Sequence, residues 1–474
     1  MQSVADSLVR LGDLARSATV SRLSAAFAVA GYELALVGGP VRDALLERTV
    51  NDLDFTTNAR PDDILKVVSP LADAVWDIGR QFGTIGARFG DDTVEITTYR
   101  TDSYDGTTRK PDVEFGDTLE GDLLRRDFTV NALALRVPEV ILVDPSGGIE
   151  HMLSRTITTP SSPEISFGDD PLRMMRAARF SSQLGFTVDD ATEQAMSDMA
   201  DRIEIVSAER VRDEIAKLLL TDEPRRGIEL LVSTGLADRV IPEIPALRLE
   251  VDEHHHHKDV YQHSLTVLDQ AIGYEKSRHP GEAPDLILRL AAILHDIGKP
   301  ATRRLEPGGV VSFYHHDVVG AKLAKKRLTA LRFDKATIDA VSTLIELHLR
   351  FFGYSEGHWT DSAVRRYVRD AGDQLERLHM LTRADVTTRN RRKADQLGFA
   401  YDDLEARIRE LKEREELDAV RPDLDGEQVM RILDLRPGPE VGRAMRYLLE
   451  LRLDEGPLGE DEATRRLLAW WDQR

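Results

Sequence analysis

The sequence predicts an α/β domain at the N-terminus followed by a mainly α-helical remainder. Residues 1–150 contain short apolar runs separated by turn residues, as in a small mixed sheet flanked by helices. Beyond about residue 155 the spacing of apolar residues becomes that of amphipathic helices. Twelve of the thirteen histidines lie at or after His254, which marks a second change of composition. We therefore predict a head (1–155), a helical neck and body (156–250), a histidine-rich domain (251–400) and a helical tail (401–474).

Composition limits the classes of protein and of site. The chain has 474 residues, of which 41% are hydrophobic and 31% charged, a balance typical of a globular protein. Because it has no cysteine, any metal must be bound by His, Asp or Glu. The first residues do not resemble a secretory signal, and no run of about 20 apolar residues predicts a membrane span. We therefore expect a cytoplasmic protein with no membrane partner, while its oligomeric state stays open.

The formal charge of −20 opposes general binding to nucleic acid. Phosphates respond to local charge, however, and basic residues cluster along the sequence. We therefore expect a basic groove on an otherwise acidic protein. The clusters are Arg125-Arg126, Arg173/Arg176/Arg179, Arg365-Arg366, and Arg389, Arg391, Arg392 and Lys393.

The first candidate site begins at residues 36–57, LVGGPVRDALLERTVNDLDFTT. A strand runs into Gly38 and Gly39 and then into a helix, so backbone amides there can approach a phosphate closely. Arg42, early in the helix, adds a charged fork for a triphosphate. Two glycines before a helix are also common in ordinary tight turns, so this feature alone is a weak signal.

Two carboxylates follow on the next predicted strand. Asp52 and Asp54 are two residues apart, so their side chains point to the same face of the strand. Such a pair can bind divalent cations that activate an attacking hydroxyl and neutralise a leaving pyrophosphate. Glu95, in TVEITTYR, is a candidate third carboxylate from another strand. A solvated strand face is the alternative interpretation, and the upstream glycines and Arg42 weaken it.

Two further segments carry polar residues at helical spacing. In RRDFTVNAL (125–133), Asp127 and Asn131 are four residues apart, so on a helix they share a face, where they could bind a ribose hydroxyl. Arg125 and Arg126 beside them are candidates for phosphate. In DDPLRMMRAARF (169–180), Asp170 and Arg173 offer an acceptor and a donor fork that can match the edge of a base. Arg173, Arg176 and Arg179 are three residues apart along one helical flank, although surface ion pairs explain such spacing equally well.

In this order, LVGGPVRD, NDLDFTT, VEITTYR, RRDFTVNA and DDPLRMMRAARF resemble the bacterial class II CCA-adding tRNA nucleotidyltransferases and poly(A) polymerases. The resemblance covers about residues 30–245. It implies a polymerase-β-like nucleotidyltransferase head with Mg²⁺ as cofactor, CTP and ATP as substrates, and the 3′ end and acceptor arm of tRNA as partner. Phe82-Gly83-Thr84 is more similar to the CCA-adding group than to the poly(A) polymerases. A poly(A) polymerase, or a partial enzyme that adds only CC or only A, stays an alternative.

The resemblance also implies roles for individual residues. Asp52 and Asp54 would hold the catalytic Mg²⁺, and Asp170 and Arg173 would read CTP and ATP. Glu95 stays a candidate catalytic carboxylate from its place on a neighbouring predicted strand. Residues 99–116 are similar to the mobile loop of the family, with Arg109-Lys110 in its second half. One departure is visible, because the base-reading motif begins Asp169-Asp170 where the family usually has Glu-Asp. The remaining candidates for nucleotide binding are Gly38, Gly39, Arg42, Arg126, Asp127, Asn131, Arg176 and Arg179.

A second candidate site lies in the histidine-rich domain. It contains His263 in DVYQHSLTVLDQ, His295 and Asp296 in AAILHDIGKP, and Asp385 in RADVTTR. This order of His, His-Asp and Asp resembles the HD phosphohydrolases, which implies an all-α domain that binds a divalent metal of unassigned identity and cleaves phosphoesters. A fold retained only to hold RNA, without hydrolysis, is the alternative. The run His254–His257 immediately precedes the domain, and we interpret it as a polar entry segment. The implied metal ligands are His263, His295, Asp296 and Asp385, with His316 and His348 as further candidates for a second metal.

Overall fold

The protein is described by a computed structural model that covers residues 4–50, 52–103, 112–249, 259–307, 311–351, 353–354, 357, 359–386, 391–415 and 421–473. The chain divides into two compact units, Met1–Pro242 and Glu243–Arg474. The N-terminal unit is a mixed sheet followed by helices, and the C-terminal unit is mainly helical, as predicted. Among the described residues, no helix combines the length and apolar character needed to cross a membrane.

A seven-stranded sheet, in the order β3-β4-β5-β2-β1-β8-β9, forms the head. All neighbouring strands are antiparallel except β2 and β5, which run parallel. The central strand β1, with the sequence LALV, is buried along its whole length because the sheet is covered there. The strands are β1 (Leu34–Val37), β2 (Asp52–Thr57), β3 (Ala74–Trp76), β4 (Thr84–Phe89), β5 (Asp92–Thr98), β8 (Ala134–Val137) and β9 (Ile141–Val143).

Three pairs of short strands lie outside this sheet. The pair β6 (Arg100–Ser103) and β7 (Asp112–Phe115) is antiparallel. The pair β10 (Thr156–Ile157) and β11 (Thr187–Val188) is parallel, and β12 (Arg304–Leu305) and β13 (Val311–Ser312) are antiparallel. Our expectation that strands end near residue 155 is therefore wrong in detail, because two-residue strands carry too little periodicity to be detected.

Helices of the N-terminal unit first pack on the sheet and then form the neck and body. Both N-terminal helices contribute to the core, which includes Leu11, Leu23 and Phe27. The helices are α1 (Val4–Ala15), α2 (Ala18–Val29), α3 (Gly39–Leu45), α4 (Pro61–Val68), α5 (Leu119–Leu124), α6 (Gly148–Leu153), α7 (Pro163–Asp169), α8 (Leu172–Leu184), α9 (Asp190–Asp198), α10 (Ala208–Leu219), α11 (Pro224–Ser233) and α12 (Leu236–Val240).

The C-terminal unit begins with the histidine-rich helices and ends with three helices that share a small core. In this tail, Trp470 stacks on Tyr447 with ring centroids 4.6 Å apart, which indicates a docked terminal helix. The helices are α13 (Val260–Arg278), α14 (Leu286–Leu294), α15 (Lys299–Thr302), α16 (His316–Ala330), α17 (Lys335–Leu347), α18 (Asp361–Ala371), α19 (Leu375–Ala384), α20 (Arg391–Glu415), α21 (Gly426–Leu433), α22 (Pro439–Glu455) and α23 (Glu460–Trp471).

Candidate functional site

Three carboxylates gather on the paired strands β2 and β5. Asp54 lies directly opposite Glu95 in the parallel register, and Asp52 begins the same strand two residues earlier. Burial raises the pKa of Asp54 to about 6; Glu95 and Asp52 add to this rise, while Arg126 and Arg42 oppose it. A partly buried carboxyl beside two others is electrostatically unfavourable unless cations compensate. Oxygen donors are the ligands that Mg²⁺ prefers, so Asp52, Asp54 and Glu95 fit the implied ion.

A sharp turn precedes α3 at Gly38. Its φ of +68° lies in the left-handed region, which favours glycine. A Cβ at this position would lie 3.2 Å from the Nη1 atom of Arg126, so the site also needs the small residue. Gly39 then begins α3, as the sequence predicts.

Arg42 in α3 is buried and held from two sides. Its Nε and Nη2 atoms donate to the two carboxylate oxygens of Asp43, each at 2.9 Å. Its Nη1 atom donates to Oδ1 of Asn131 at 2.6 Å. The guanidinium is therefore fixed in direction, an arrangement suited to a phosphate ligand. Asp43 was not identified in the sequence, although it immediately follows Arg42.

Asp127 connects the segment 125–133 to α8. It accepts hydrogen bonds from Asn131 Nδ2 at 3.1 Å and from Arg176 Nε and Nη2 at 2.8 and 2.6 Å. Burial raises the pKa of Asp127, but Arg176 and Asn131 outweigh it and hold this pKa well below its usual range. Our expectation of an α-helix here is wrong, because a short 3₁₀ turn, Thr129–Asn131, stands in its place. The turn nevertheless brings Asp127 and Asn131 into contact.

Asp122 is a fully buried carboxylate that sequence analysis missed. It accepts from Arg125 Nη2 at 2.6 Å, from Arg126 Nη2 at 3.1 Å and from Thr56 Oγ1 at 3.2 Å. Thr56 is two residues beyond Asp54 on β2, so Asp122 links both arginines to the strand that carries Asp52 and Asp54. Its position three and four residues before the arginines is the signal that could have identified it.

The candidate base-reading pair lies at the start of α8. Asp170 Oδ1 accepts from the backbone amide of Leu172 at 3.1 Å, and Oδ2 accepts from Arg210 at 2.8 Å. Arg173 donates from Nη1 to Ser166 Oγ at 2.9 Å and from Nη2 to the backbone carbonyl of Arg125 at 2.7 Å. Both side chains are thus oriented by protein contacts.

Arg179 and Arg176 both lie over the Phe180 ring, but their hydrogen-bond partners differ. Arg179 is buried, and its Nε donates to Glu214 Oε2 at 2.7 Å while Nη1 donates to Gln183 at 2.8 Å. Three-residue spacing is 300° around a helix, so successive side chains rotate away from one flank. The Arg179–Glu214 pair joins α8 to α10. The role of Arg179 in nucleotide binding stays a prediction.

The C-terminal unit brings the predicted metal ligands together. Two groups have ligand atoms within 4.8 Å of one another: His263, His295 and Asp385, and then Asp296, His316 and His348. Between the nitrogens Nε2 of His263 and Nε2 of His295 the distance is 3.4 Å, and His263 Nε2 lies 2.9 Å from Asp385 Oδ1. His316, rather than His315, faces this cluster, with Nε2 3.3 Å from Asp296.

Backbone carbonyls orient three of these histidines. The Nδ1 atoms of His295, His316 and His348 donate to carbonyls three residues earlier, at 2.8, 2.8 and 2.6 Å. Since a carbonyl only accepts, Nδ1 carries the proton and Nε2 presents its lone pair to the centre in a neutral ring. The buried Nε2 of His348 has no hydrogen-bond partner within the described part of the chain. This donor set fits a bound divalent cation.

Charge within the cluster is unevenly distributed without a metal. Burial lowers the pKa of His295, but Asp296 and Asp385 outweigh it and raise this pKa to about 10. Burial and the charge of His295 lower the pKa of His348 to about 4. Lys299 Nζ lies 2.9 Å from Asp296 Oδ2, a contact that the sequence analysis did not identify. A divalent ion would take over the compensation of both aspartates, and its binding requires neutral imidazoles.

Several arginines expected in a basic groove instead form ion pairs. Arg365 is buried against Glu415 at 2.7 Å, and Arg366 contacts Glu450 and Asp454 at 2.6 and 2.8 Å. These two arginines join the tail helices, so they are removed from the predicted groove. Arg389, residues 104–111 with Arg109-Lys110, His254–His257, and the side chains of Arg391 and Lys393 lie outside the described residues.

The mixed sheet, its carboxylates and the glycine turn before α3 define a nucleotidyltransferase head, here followed by a histidine-aspartate domain. Three family models match parts of this chain. Residues 34–158 match the Poly A polymerase head domain, and residues 185–247 match the probable RNA and SrmB-binding site of polymerase A. Residues 260–390 match the HD domain.

Similar proteins extend over nearly the whole chain. The A-adding tRNA nucleotidyltransferase of Deinococcus radiodurans is 36% identical over 92% of this chain and 95% of its own length. The CC-adding tRNA nucleotidyltransferase of Thermus thermophilus is 32% identical over 92% and 93%. The chain therefore belongs to the class II tRNA nucleotidyltransferase family, and it is a nucleotidyltransferase.

A solved structure shares the fold. The Bacillus stearothermophilus CCA-adding enzyme in complex with CTP aligns with a TM-score of 0.66 and 24% identity. The alignment covers 95% of this chain and 96% of that one. The predicted fold class, a mixed-sheet head followed by mainly helical regions, is confirmed.

Proposed function

We propose that this chain adds CMP, CMP and AMP to the 3′ end of tRNA, using CTP and ATP and releasing pyrophosphate. The observation that supports this most is the placement of Asp54 opposite Glu95, on a strand beginning at Asp52. These carboxylates would hold Mg²⁺, which when bound activates the RNA 3′-hydroxyl and neutralises the leaving pyrophosphate.

The protein's own side chains would orient the nucleotide. Arg42, fixed by Asp43 and Asn131, supports an interaction with the triphosphate. Arg126 lies against Gly38 at the same turn. Gly39, Asp127 and Arg176 complete the proposed nucleotide site, with Asp127 and Asn131 near the ribose.

Base selection is proposed to rest on Asp170 and Arg173. Cytosine and adenine each present an amino group, at N4 and N6, which a carboxylate can accept. Uracil and guanine present a carbonyl oxygen at the equivalent position, which a carboxylate repels. A single protein pair can therefore accept CTP and ATP without a template strand.

A partial enzyme is the second candidate. Two relatives that extend over nearly the whole chain are named A-adding and CC-adding. A CCA-adding enzyme of Geobacillus is 44% identical, but over only 44% of this chain. The two candidates differ in which nucleotides they add.

Three tRNA transcripts separate these candidates. One ends at the discriminator base, one carries the first two cytidines and one is complete, and each is incubated with CTP, ATP or both. Complete addition predicts three nucleotides on the first transcript and one adenosine on the second. Extension only by CTP or only of the second transcript would identify a partial enzyme, and long ATP-only tails would identify a poly(A) polymerase.

We also propose that the HD cluster binds a divalent metal and hydrolyses phosphoesters. The lone pairs directed inward from His295, His316 and His348 support a metal site. Bound there, a metal would supply an activated water for hydrolysis. Release of phosphate from RNA with 2′,3′-cyclic ends, lost in His295→Ala and Asp296→Ala, would support this activity. Unchanged release in both variants would contradict it.

A further inference from the structure

We propose that Arg210 determines nucleobase selectivity by positioning the carboxylate of Asp170. The inference rests on the proposed base-reading role of Asp170 and adds a residue that neither the sequence motifs nor the family comparison assigns. Arg210 would act on the base through Asp170, so it is a positioning residue.

The two oxygens of Asp170 have different partners. Oδ1 accepts from the amide of Leu172 at 3.1 Å and so helps to begin α8. Oδ2 accepts from Arg210 Nη2 at 2.8 Å. A carboxylate oxygen has two acceptor positions, so Oδ2 can accept from Arg210 and from a base amino group together.

Arg210 would act by fixing the orientation of the Asp170 carboxylate. The terminal torsion of an aspartate side chain has broad, two-fold minima, so a carboxylate with one anchored oxygen can still rotate. Arg210 and the amide of Leu172 hold the two oxygens from different elements, α10 and α8. Together they fix the plane in which Oδ2 meets a base edge.

The position of Arg210 in its helix supports this role. It lies in the first turn of α10, where the helix dipole disfavours a positive charge. One turn further along, Glu214 forms the buried pair with Arg179 of α8. Two residues of α10 one turn apart therefore form ion pairs, Glu214 with Arg179 of α8 and Arg210 with Asp170 just before α8.

The two ion pairs differ in how far their side chains are exposed to solvent. The side chains of Arg210 and Asp170 are 53% and 22% exposed, whereas those of Arg179 and Glu214 are 10% and 4% exposed. Exposed ion pairs contribute little to stability. The Arg210–Asp170 contact can therefore be removed with little effect on folding, and its effect should appear in substrate choice.

The test measures kcat/KM for the preferred nucleotide and its keto counterpart, CTP against UTP or ATP against GTP, on a tRNA transcript with an incomplete 3′ end. Arg210→Ala is expected to lower this ratio about tenfold, within the range of a good base contact. The loss should lie mainly in a higher KM for the correct nucleotide. Arg210→Lys should restore part of the ratio, because one donor remains.

Arg212→Ala is the matched control, since Arg212 lies on the same helix and contacts Asp213 at 2.7 Å. It should retain the wild-type ratio, and all variants should keep the wild-type melting temperature.

Asp170→Asn separates the inference from the function on which it rests. If Asp170→Asn loses selectivity and Arg210→Ala does not, the role of Arg210 is refuted. If Asp170→Asn keeps full selectivity, the base-reading role of Asp170 itself fails. An equal loss of selectivity in Arg212→Ala would also refute the specific role of Arg210.

Discussion

Asp54→Asn is expected to stabilise the metal-free N-terminal unit at pH 8 while abolishing nucleotide addition. The pKa of Asp54 is raised from 3.8 to about 6, first by burial and then by Glu95. The native state keeps this proton up to about pH 6, whereas the unfolded chain releases it near pH 3.8. Stability therefore falls as pH rises between these values, and the loss persists at higher pH.

The difference between the folded and unfolded pKa of Asp54 gives the size of this change in the free energy of unfolding. It corresponds to about 3 kcal/mol as an upper limit. If relaxation and solvent screening remove about half, the remaining ~1.5 kcal/mol corresponds to a melting temperature higher by about 3–6 °C for a unit of this size. Asparagine has no charge to bury, so the variant avoids this cost.

Calorimetry in EDTA, from pH 4 to pH 8, measures the effect. The advantage of Asp54→Asn should grow from pH 4 to a little above pH 6 and then stay constant up to pH 8. It should shrink when Mg²⁺ is added, because the ion stabilises the wild type. Asp52→Asn is the matched control, since Asp52 is exposed and should gain little. If Asp54→Asn were no more stable than the wild type at pH 8 in EDTA, the electrostatic argument would be refuted.

Three other changes test separate parts of the structure. Arg179→Met leaves the buried charge of Glu214 without its partner, so urea unfolding should show a loss of about 3–5 kcal/mol; a loss below ~1 kcal/mol would contradict a buried pair. Asp127→Asn weakens the anchor of Arg176, so steady-state kinetics should show a KM for CTP and ATP about tenfold higher with a smaller change in kcat; unchanged KM values would argue against the proposed site. His295→Ala should remove most divalent metal from the C-terminal unit, measured by elemental analysis, while nucleotide addition continues; full metal content would contradict the proposed ligand set.

Much of the head could be predicted because its signals are local. The strand alternation around Asp52 and Asp54 and the two glycines before α3 are features of adjacent residues. The parallel pairing that sets Glu95 beside Asp54 is not local, and the sequence alone indicated only that Glu95 lies on another strand. The structure supplies that connection, because it pairs Asp54 with Glu95.

The partners of the arginines could not be predicted from spacing. Arg179 binds Glu214 and Arg365 binds Glu415, 35 and 50 residues further along the chain. A helical pattern shows which side chains share a flank, but not which carboxylate a tertiary contact brings to them. The same limit explains why the contact of Arg210 with Asp170, 40 residues earlier in the chain, was missed.

The helix predicted between Asp127 and Asn131 failed for a different reason. Four-residue spacing fits an α-helix, but the segment is a 3₁₀ turn in which Asp127 also accepts from the amide of Phe128 at 2.8 Å. Aspartate commonly forms such local bonds to the backbone, which compete with helix formation. The contact between these side chains is still made, because Asn131 Nδ2 donates to Asp127 Oδ1 at 3.1 Å.

The most direct test of the central claim is nucleotide addition to a tRNA transcript that lacks its 3′ CCA, with CTP and ATP together, by the wild type and by the Asp52→Ala/Asp54→Ala double variant. The account predicts a three-nucleotide extension by the wild type and none by the variant, with the variant still folded by circular dichroism. Extension by the double variant at the wild-type rate would contradict the assignment of these carboxylates as the catalytic centre.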